Sequence, residues 1–142
     1  MKKFQFRLEQ VLQQRIKREE ATLLEQARAE QECDRCQREL AASERKLEEA
    51  LQAATAFVRP DEQMQSLIYR EHLQQVIARQ RRLLQRSQEI LQLRQAATMK
   101  ARQERMVLEK LKEKKFREYQ ELEMYLEQRE IDELAALRFG RG

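Results

Sequence analysis

The residues of this chain whose types could do chemistry are two cysteines and one histidine. Cys33 and Cys36 form a CxxC motif, a spacing used by zinc sites and redox centres. A structural zinc ion takes four ligands, and His72 is the one further candidate. If the chain folds back at Pro60, His72 lies on the order of 20 Å along the helix axis from the cysteines. We therefore interpret both cysteines as small apolar packing residues and predict no metal and no other cofactor.

A second class of chemistry, nucleotide binding, needs a glycine-rich loop. The only two glycines are residues 140 and 142, so no such loop is available. His72 lacks the strand–turn–helix setting of a nucleophilic site and is interpreted as a surface or seam-edge residue. We predict that the protein is not an enzyme.

The composition favours helices that pack along a narrow line. Of the 142 residues 38% are charged and 6% are aromatic, and there is no tryptophan. Average soluble domains are about 25% charged, so a broad core is excluded and a narrow seam between helices is favoured. We predict one elongated domain over residues 1–142.

The charges are close to balance, with 29 basic and 25 acidic side chains and a net charge of +4. Most charges should therefore pair along helix faces. Arg79, Arg81, Arg82 and Arg86 have no acid among them, which is compatible with a nucleic-acid or membrane surface. Three of them share one helix face and no aromatic side chain accompanies them, so we interpret a solvated face and predict no nucleic-acid partner.

The sequence predicts a cytoplasmic protein. No apolar run is long enough to span a bilayer, and the basic N-terminus has no apolar stretch of the kind found in signal peptides. Two cysteines fit a reducing compartment.

Two long helices follow from the distribution of helix breakers. Residues 61–139 contain neither proline nor glycine and consist largely of strong helix formers. Pro60 is the only proline, so we predict a first helix over residues 3–58, a turn over 59–61 and a second helix over 62–139. Asp61 is the predicted N-cap of the second helix. A short connection makes long helices antiparallel neighbours, so the predicted fold is an all-α, antiparallel two-helix coiled-coil hairpin.

Apolar residues recur every seven positions, as in a left-handed coiled coil. The predicted seam, meaning the line along which the two helices pack, has a main line, a weaker line and flanking residues in the second helix. The main line is Val76, Leu83, Ile90, Ala97, Leu111 and Tyr125, interrupted by Glu104 and Glu118; the weaker line is Gln80, Ser87, Arg94, Ala101, Leu108, Lys115 and Leu122; the flanking residues are Ile77, Leu84, Leu91 and Leu126. The first helix contributes Leu8, Leu12, Ile16, Leu23, Cys33, Leu40, Leu47, Ala50, Leu51, Ala54, Phe57 and Val58.

A turn centred at Pro60 makes the numbers of facing residues add to about 120, so Phe4 should meet Phe116. Residues 117–139 then have no partner within the chain. Their apolar side chains are Tyr119, Leu122, Tyr125, Leu126, Ile131, Leu134, Leu137 and Phe139. An unpaired apolar stripe on a helix predicts a surface for another molecule.

The chain begins Met-Lys-Lys-Phe-Gln-Phe-Arg-Leu over residues 1–8, followed by Val11, Leu12 and Arg15. This start resembles that of the flagellar FliJ family. The two-helix layout, the length and a charged C-terminal helix are similar too. The resemblance implies a component of the flagellar type III export apparatus, peripheral at the cytoplasmic face of the cell membrane. It also implies a stalk-like coiled coil that binds and stimulates the hexameric export ATPase, contacts the cytosolic domain of the membrane export gate protein and escorts export chaperones.

On that resemblance two groups of residues become candidate sites. The candidates for the ATPase ring are Phe4, Leu8, Tyr119, Leu122, Tyr125, Leu126 and Leu134. The candidates for the export gate are Phe57, Val58, Leu67, Tyr69 and His72. Two alternatives stay open at this point: a self-associating structural scaffold in which the unpaired segments of two chains pair, and a basic helical nucleic-acid binder.

Overall fold

A computed structural model of the protein describes residues 2–140. Two α-helices account for most of this range, α1 (Glu9–Ala54) and α2 (Pro60–Phe139), and no strand is found among the residues described. Residues 2–8 precede α1, and residues 55–59 connect the helices. The predicted all-α, antiparallel two-helix coiled-coil hairpin is confirmed.

Helix α1 is shorter at both ends than the predicted range of 3–58. At its start, residues 2–6 are not helical, and the first turn begins where the N–H of Glu9 donates to the carbonyl of Phe6 at 3.1 Å. At its end, the N–H groups of Ala56 and Phe57 donate to carbonyls three residues back, at 3.1 and 3.4 Å. Such tightened bonds use the free carbonyls at a helix end and terminate the α-helical pattern.

The connection between the helices also differs from the prediction of residues 59–61. Pro60 is the first residue of α2, and the N–H of Gln63 already donates to the carbonyl of Arg59 at 3.0 Å. Proline suits this position because the first N–H of a helix has no intrahelical partner. The prediction that Asp61 is the N-cap is therefore wrong. Asp61 and Glu62 instead lie in the first turn, where their charge favours the helix dipole.

Contacts divide the chain into two units. The first consists of Met1–Glu20 with Lys100–Gly142, and the second is Ala21–Met99. That residues 1–142 form a single domain stays a prediction.

The second unit contains the connection and the antiparallel helix segments on either side of it. Arg94 Nη1 lies 3.0 Å from Glu25 Oε2, and Arg81 Nη2 lies 3.4 Å from Glu44 Oε1. The numbers of both facing pairs add to about 120, as expected for a hairpin that turns near Pro60.

The seam of the second unit is smaller and more polar than predicted. Its buried residues are Ala29, Cys33, Cys36, Ser43, Ser66, Leu73, Ile77, Ser87 and Thr98. The predicted main line is wrong here, because Leu83 is 48% exposed and Ile90 41% exposed, whereas Ile77 of the flanking line is 4% exposed. On α1, Leu23 and Leu51 are likewise exposed. Adjacent lines of a helix share the seven-residue spacing, so the spacing alone does not decide which line packs.

The first unit pairs the start of the chain with the later part of α2. Leu12 and Ala101 are its most buried apolar residues, at 3% and 2% exposure. Arg15 Nη1 lies 3.0 Å from Glu104 Oε2. The ring centroids of Phe4 and Phe116 are 5.2 Å apart, which confirms that predicted pair.

Candidate partner-binding surfaces

In the first unit, the N-terminal segment (residues 2–8) lies against α2. The ring of Phe4 packs on Phe116 and, with a centroid distance of 5.6 Å, on Tyr119. The Tyr119 hydroxyl donates a hydrogen bond to the carbonyl of Lys2 at 2.6 Å. Non-helical chain advances up to about 3.3 Å per residue against 1.5 Å in a helix, so the segment reaches further along α2 than a helix would. The prediction that α2 is unpartnered from residue 117 is therefore wrong for Tyr119.

Beyond Tyr119 lies the distal segment, which we define as residues 120–139 of α2. Within residues 2–140, no hydrogen bond or ion pair joins it to α1 or to the N-terminal segment. Nearly all of its side chains are exposed, including every apolar one. The large apolar members are Leu122, Met124, Tyr125, Leu126, Ile131, Leu134, Leu137 and Phe139. The distal segment is therefore an α-helix with an apolar surface that nothing in the described chain covers.

The candidate ring-binding residues lie in two places, the distal segment and its base. By the base we mean the start of the chain together with the part of α2 just before residue 120. Leu122, Tyr125, Leu126 and Leu134 lie in the distal segment, with exposures of 55, 62, 37 and 66%. Phe4, Leu8 and Tyr119 are half-buried at the base. The structure thus brings Phe4 and Tyr119 into contact and leaves the other four exposed further along the same helix.

Charged groups fix the base of the distal segment. Lys112 Nζ lies 2.8 Å from Glu9 Oε2, and the amide of Gln13 donates to Glu9 Oε1 at 3.1 Å. The ammonium group of Lys112, foremost, and the hydrogen bond from Gln13 lower the pKa of Glu9. The neighbouring Glu123 carboxylate raises the pKa of Tyr119, which stays a neutral hydrogen-bond donor.

A cluster of charged residues in the seam was not predicted as a feature of the fold. Glu19 is 8% exposed and accepts a hydrogen bond from Nε of Arg105, while Nε of Arg102 lies 3.5 Å away. Arg105 also donates to Glu109 at 2.6 Å. These two carboxylates, Glu19 foremost, raise the pKa of Arg105. The signal was present, because Glu19 follows Leu12 by seven residues and therefore continues its line.

The candidate gate-binding residues lie around the connection in the second unit. Phe57 and Tyr69 line an open cavity of about 510 Å³ together with Ala50, Ala53 and Ser66. The remaining candidates, Val58, Leu67 and His72, are exposed, Val58 to 86%. This end of the hairpin therefore presents apolar and aromatic side chains to solvent.

Of the residues singled out for chemistry, only His72 is among the candidates for a partner surface; the two cysteines are not. Cys33 and Cys36 are free thiols buried in the seam, and the Cys36 thiol points at the Glu32 carboxylate at 3.8 Å. No group of three or more His, Cys, Asp or Glu side chains in residues 2–140 is placed to hold a metal ion. Arg79, Arg82 and Arg86 are exposed.

Comparison with known protein families matches residues 4–142 to a family described as the flagellar FliJ protein. The chain belongs to the FliJ family. No curated protein and no solved structure matched it. FliJ proteins are non-catalytic components of the flagellar export apparatus. In this FliJ chain, neither helix contains, within the described residues, a stretch long and apolar enough to cross a membrane.

Proposed function

We propose that the protein is a non-enzymatic, stalk-like coiled coil that binds the hexameric flagellar export ATPase and stimulates it. It also contacts the cytosolic domain of the membrane export gate protein and escorts export chaperones, working in the cytoplasm at the face of the membrane. Membership of the FliJ family supports a role in the flagellar export apparatus. The observation that supports a stalk-like role is the exposure of the apolar side chains of the distal segment, which no other described residue covers.

The ring end is proposed to comprise Phe4, Leu8 and Tyr119 at the base and the exposed apolar residues of the distal segment. Burial of apolar area is the main favourable contribution to protein association. A single helix with large apolar side chains that are 37 to 86% exposed gains by inserting into an apolar bore. The half-buried aromatic residues hold the N-terminal segment in place at the start of that surface.

The experiment that tests the ring end replaces Leu122, Leu126 and Leu134 together by alanine in the full chain. All three side chains are exposed, so the helix content and the free energy of unfolding should change little. We expect loss of ring binding and of ATPase stimulation. Leu93→Ala with Val107→Ala is the matched control, since these side chains are 70 and 66% exposed on α2 outside the distal segment.

A triple variant that still binds and stimulates the ATPase would contradict the proposal. Removal of all residues after Phe116 provides a second measurement, with the same expected loss. The truncation also deletes Tyr119 and its contacts with the N-terminal segment, so the triple variant is the sharper of the two.

The gate end is proposed to comprise Phe57, Val58, Leu67, Tyr69 and His72. We expect Val58→Ala with Tyr69→Ala to weaken binding to the cytosolic domain of the gate protein and to leave ATPase stimulation unchanged. The triple variant of the distal segment should do the opposite, so each variant is the control for the other. Equal binding of the gate domain to both variants would show that this surface is not the gate site.

The self-associating scaffold is the alternative function, because an exposed apolar helix can also pair with its copy. Sedimentation of the full chain separates the two functions. A stalk should sediment as a monomer, whereas a scaffold should form dimers that the triple variant of the distal segment abolishes.

A further inference from the structure

The distal segment continues the seam of the first unit. On α2, Arg105, Lys112 and Tyr119 are spaced by seven residues and are all half-buried where α2 packs on the start of the chain. The next residue on that line is Leu126, which is exposed. Leu122 lies on the line of Ala101 and Leu108, one step beyond the exposed Lys115. Leu122 and Leu126 therefore occupy the positions at which α2 would pack against a further helix or groove.

The same stretch of α2 carries a large excess of negative charge. Seven acids and one base lie in residues 118–133, a net charge of −6 on a chain whose total is +4. The acids are Glu118, Glu121, Glu123, Glu127, Glu130, Asp132 and Glu133, and the base is Arg129. Local charge is thus opposite in sign to the charge of the whole protein.

Four of these acids edge the seam line. Glu123 and Glu130 lie on one flank of Leu126, and Glu118 and Asp132 lie on the other, which are the flanking positions that choose partners in coiled coils. Neither Glu123 nor Glu130 has an ion-pair partner among residues 2–140, whereas Glu118 pairs with Lys115 at 3.5 Å. Asp132 accepts a hydrogen bond from the amide of Gln128 at 3.1 Å, which leaves its charge uncompensated.

The acids beside the seam line indicate which kind of partner would bind the distal segment. In a coiled coil of two distal segments, flanking residues meet flanking residues in either orientation, so acids would face acids. A second copy of the segment is therefore disfavoured. From charge complementarity and the continuity of the seam, we propose that the partner is an apolar groove or helix edged by lysine or arginine side chains.

The inference deepens the proposed function, on which it rests for placing that basic surface in the bore of the export ATPase ring. Charged contacts make binding depend on salt, which apolar contacts alone would not. Complementary charge steers association and is screened by salt, with a screening length of about 8 Å at physiological ionic strength. Binding should therefore weaken as salt rises, although apolar burial alone would not weaken.

A pair of synthetic helical peptides tests the chemistry without the ATPase. Both have leucine at the seam positions, and the flanking positions are lysine in one and glutamate in the other. We expect the full chain to bind the lysine peptide, more weakly at higher salt, and not the glutamate peptide. Leu122→Ala with Leu126→Ala should abolish this binding, which locates it on the distal segment. Absence of binding to the lysine peptide, or equal binding of both peptides, would overturn the inference.

Charge reversal in the full chain provides the decisive comparison. Glu123→Lys with Glu130→Lys should weaken binding of the lysine peptide roughly tenfold or more and allow binding of the glutamate peptide. Glu49→Lys with Glu89→Lys makes the same change in net charge at exposed positions elsewhere and should have no such effect. If both variants lose the same amount of affinity for the lysine peptide, the effect comes from net charge and not from the flanking acids, and the inference is overturned.

The same variants, measured with the ATPase, separate the two proposals. If the peptide results hold but the ATPase does not bind the chain, the proposed function fails and the inference stands. If the ATPase binds and neither salt nor the reversal at Glu123 and Glu130 weakens it, the inference fails and the proposed function stands. A dimer that forms through the distal segments in sedimentation would also overturn the inference.

Discussion

Substitution of two apolar residues six positions apart on α2 tests which of its lines packs in the seam. The seven-residue spacing favours the line through Leu83, whereas the structure places Ile77 in the seam at 4% exposure and Leu83 at 48%. We therefore expect Ile77→Ala to destabilise the protein clearly more than Leu83→Ala. The reverse order is expected if the spacing identified the seam.

The magnitudes follow from the buried carbon atoms. Ile77→Ala removes three carbons, and at about 0.8 kcal/mol per buried carbon the loss is about 2.4 kcal/mol. The higher helix propensity of alanine returns up to about 0.5 kcal/mol, which leaves about 2 kcal/mol. A two-helix seam is open to water along its sides, so little additional cavity energy is expected. Leu83→Ala removes the same number of carbons from a half-exposed side chain, for a loss of about 1 kcal/mol.

Urea denaturation followed by circular dichroism at the helix band measures both free energies of unfolding. Equal slopes of free energy against urea for the two variants would show that the difference lies in stability. The variants should have unchanged helix content in the absence of urea. If Leu83→Ala costs as much as Ile77→Ala, or more, the placement of the seam is refuted.

Three further predictions concern the pH, the N-terminal segment and the thiols. Lys112 lowers the pKa of Glu9 below 4.5 in the folded protein. The ionised Glu9 carboxylate should therefore stabilise the fold fully above pH 4.5, and this stabilisation should be lost as the pH falls through the lowered pKa of the folded state. Glu9→Gln should therefore be less stable than the native chain at neutral pH and equally stable in strong acid, as measured by urea denaturation at each pH. Tyr119→Phe removes the hydrogen bond to the N-terminal segment but keeps the ring, so tryptic cleavage after Lys3 should become faster. Cys33 and Cys36 are 6 and 5% exposed, so an aromatic disulfide reagent should modify them slowly in the native protein and rapidly in denaturant.

Each of these has an outcome that would contradict it. A stability difference for Glu9→Gln that persists unchanged in acid would show that the ion pair with Lys112 is not its source. Tyr125→Phe is the control for the second prediction, because the Tyr125 hydroxyl has no hydrogen-bond partner in residues 2–140. Equal rates of cleavage in the two variants would show that the hydrogen bond of Tyr119 does not hold the N-terminal segment. Rapid, complete labelling of the native thiols would show that the seam opens readily at the cysteines.

The polar seam bears on how the hairpin holds its register. Glu19 and Arg105 occupy positions where most coiled coils have apolar residues, and the buried Ser43, Ser87 and Thr98 contribute little apolar area. Buried charge pairs stabilise weakly but are best known for fixing which residues face one another. We expect the Glu19 cluster to set the pairing of the first unit more than it adds to its stability.

Several features of the fold could be predicted because they depend on local properties. The absence of proline and glycine from residues 61–139 predicts one uninterrupted helix, and the structure has it from Pro60 to Phe139. The pairing of Phe4 with Phe116 follows from the position of a single turn. The helix ends were less predictable, because residues 2–6 have helix-compatible types, yet their conformation is set by packing of Phe4 on α2.

The candidate site was predictable in composition and less so in extent. The apolar residues after Tyr119 are visible in the sequence, and so are the acids beside them. Which acids edge the seam line became clear only when burial of Ala101 and the half-burial of Lys112 and Tyr119 fixed the phase of α2. Without that phase the acids are an unordered charge excess, and no partner chemistry follows from them.

The sequence by itself determined that this protein is helical, that it turns once near Pro60 and that its C-terminal helix outlasts its N-terminal one. These properties rest on propensity, on the one helix breaker and on chain length, all of which act locally. Only the tertiary structure decided that Ile77 packs while Leu83 is exposed, that Tyr119 is covered while Leu122 is not, and that Glu19 is buried. The reason is that neighbouring lines of a helix share one period, and contact with the opposite helix selects among them.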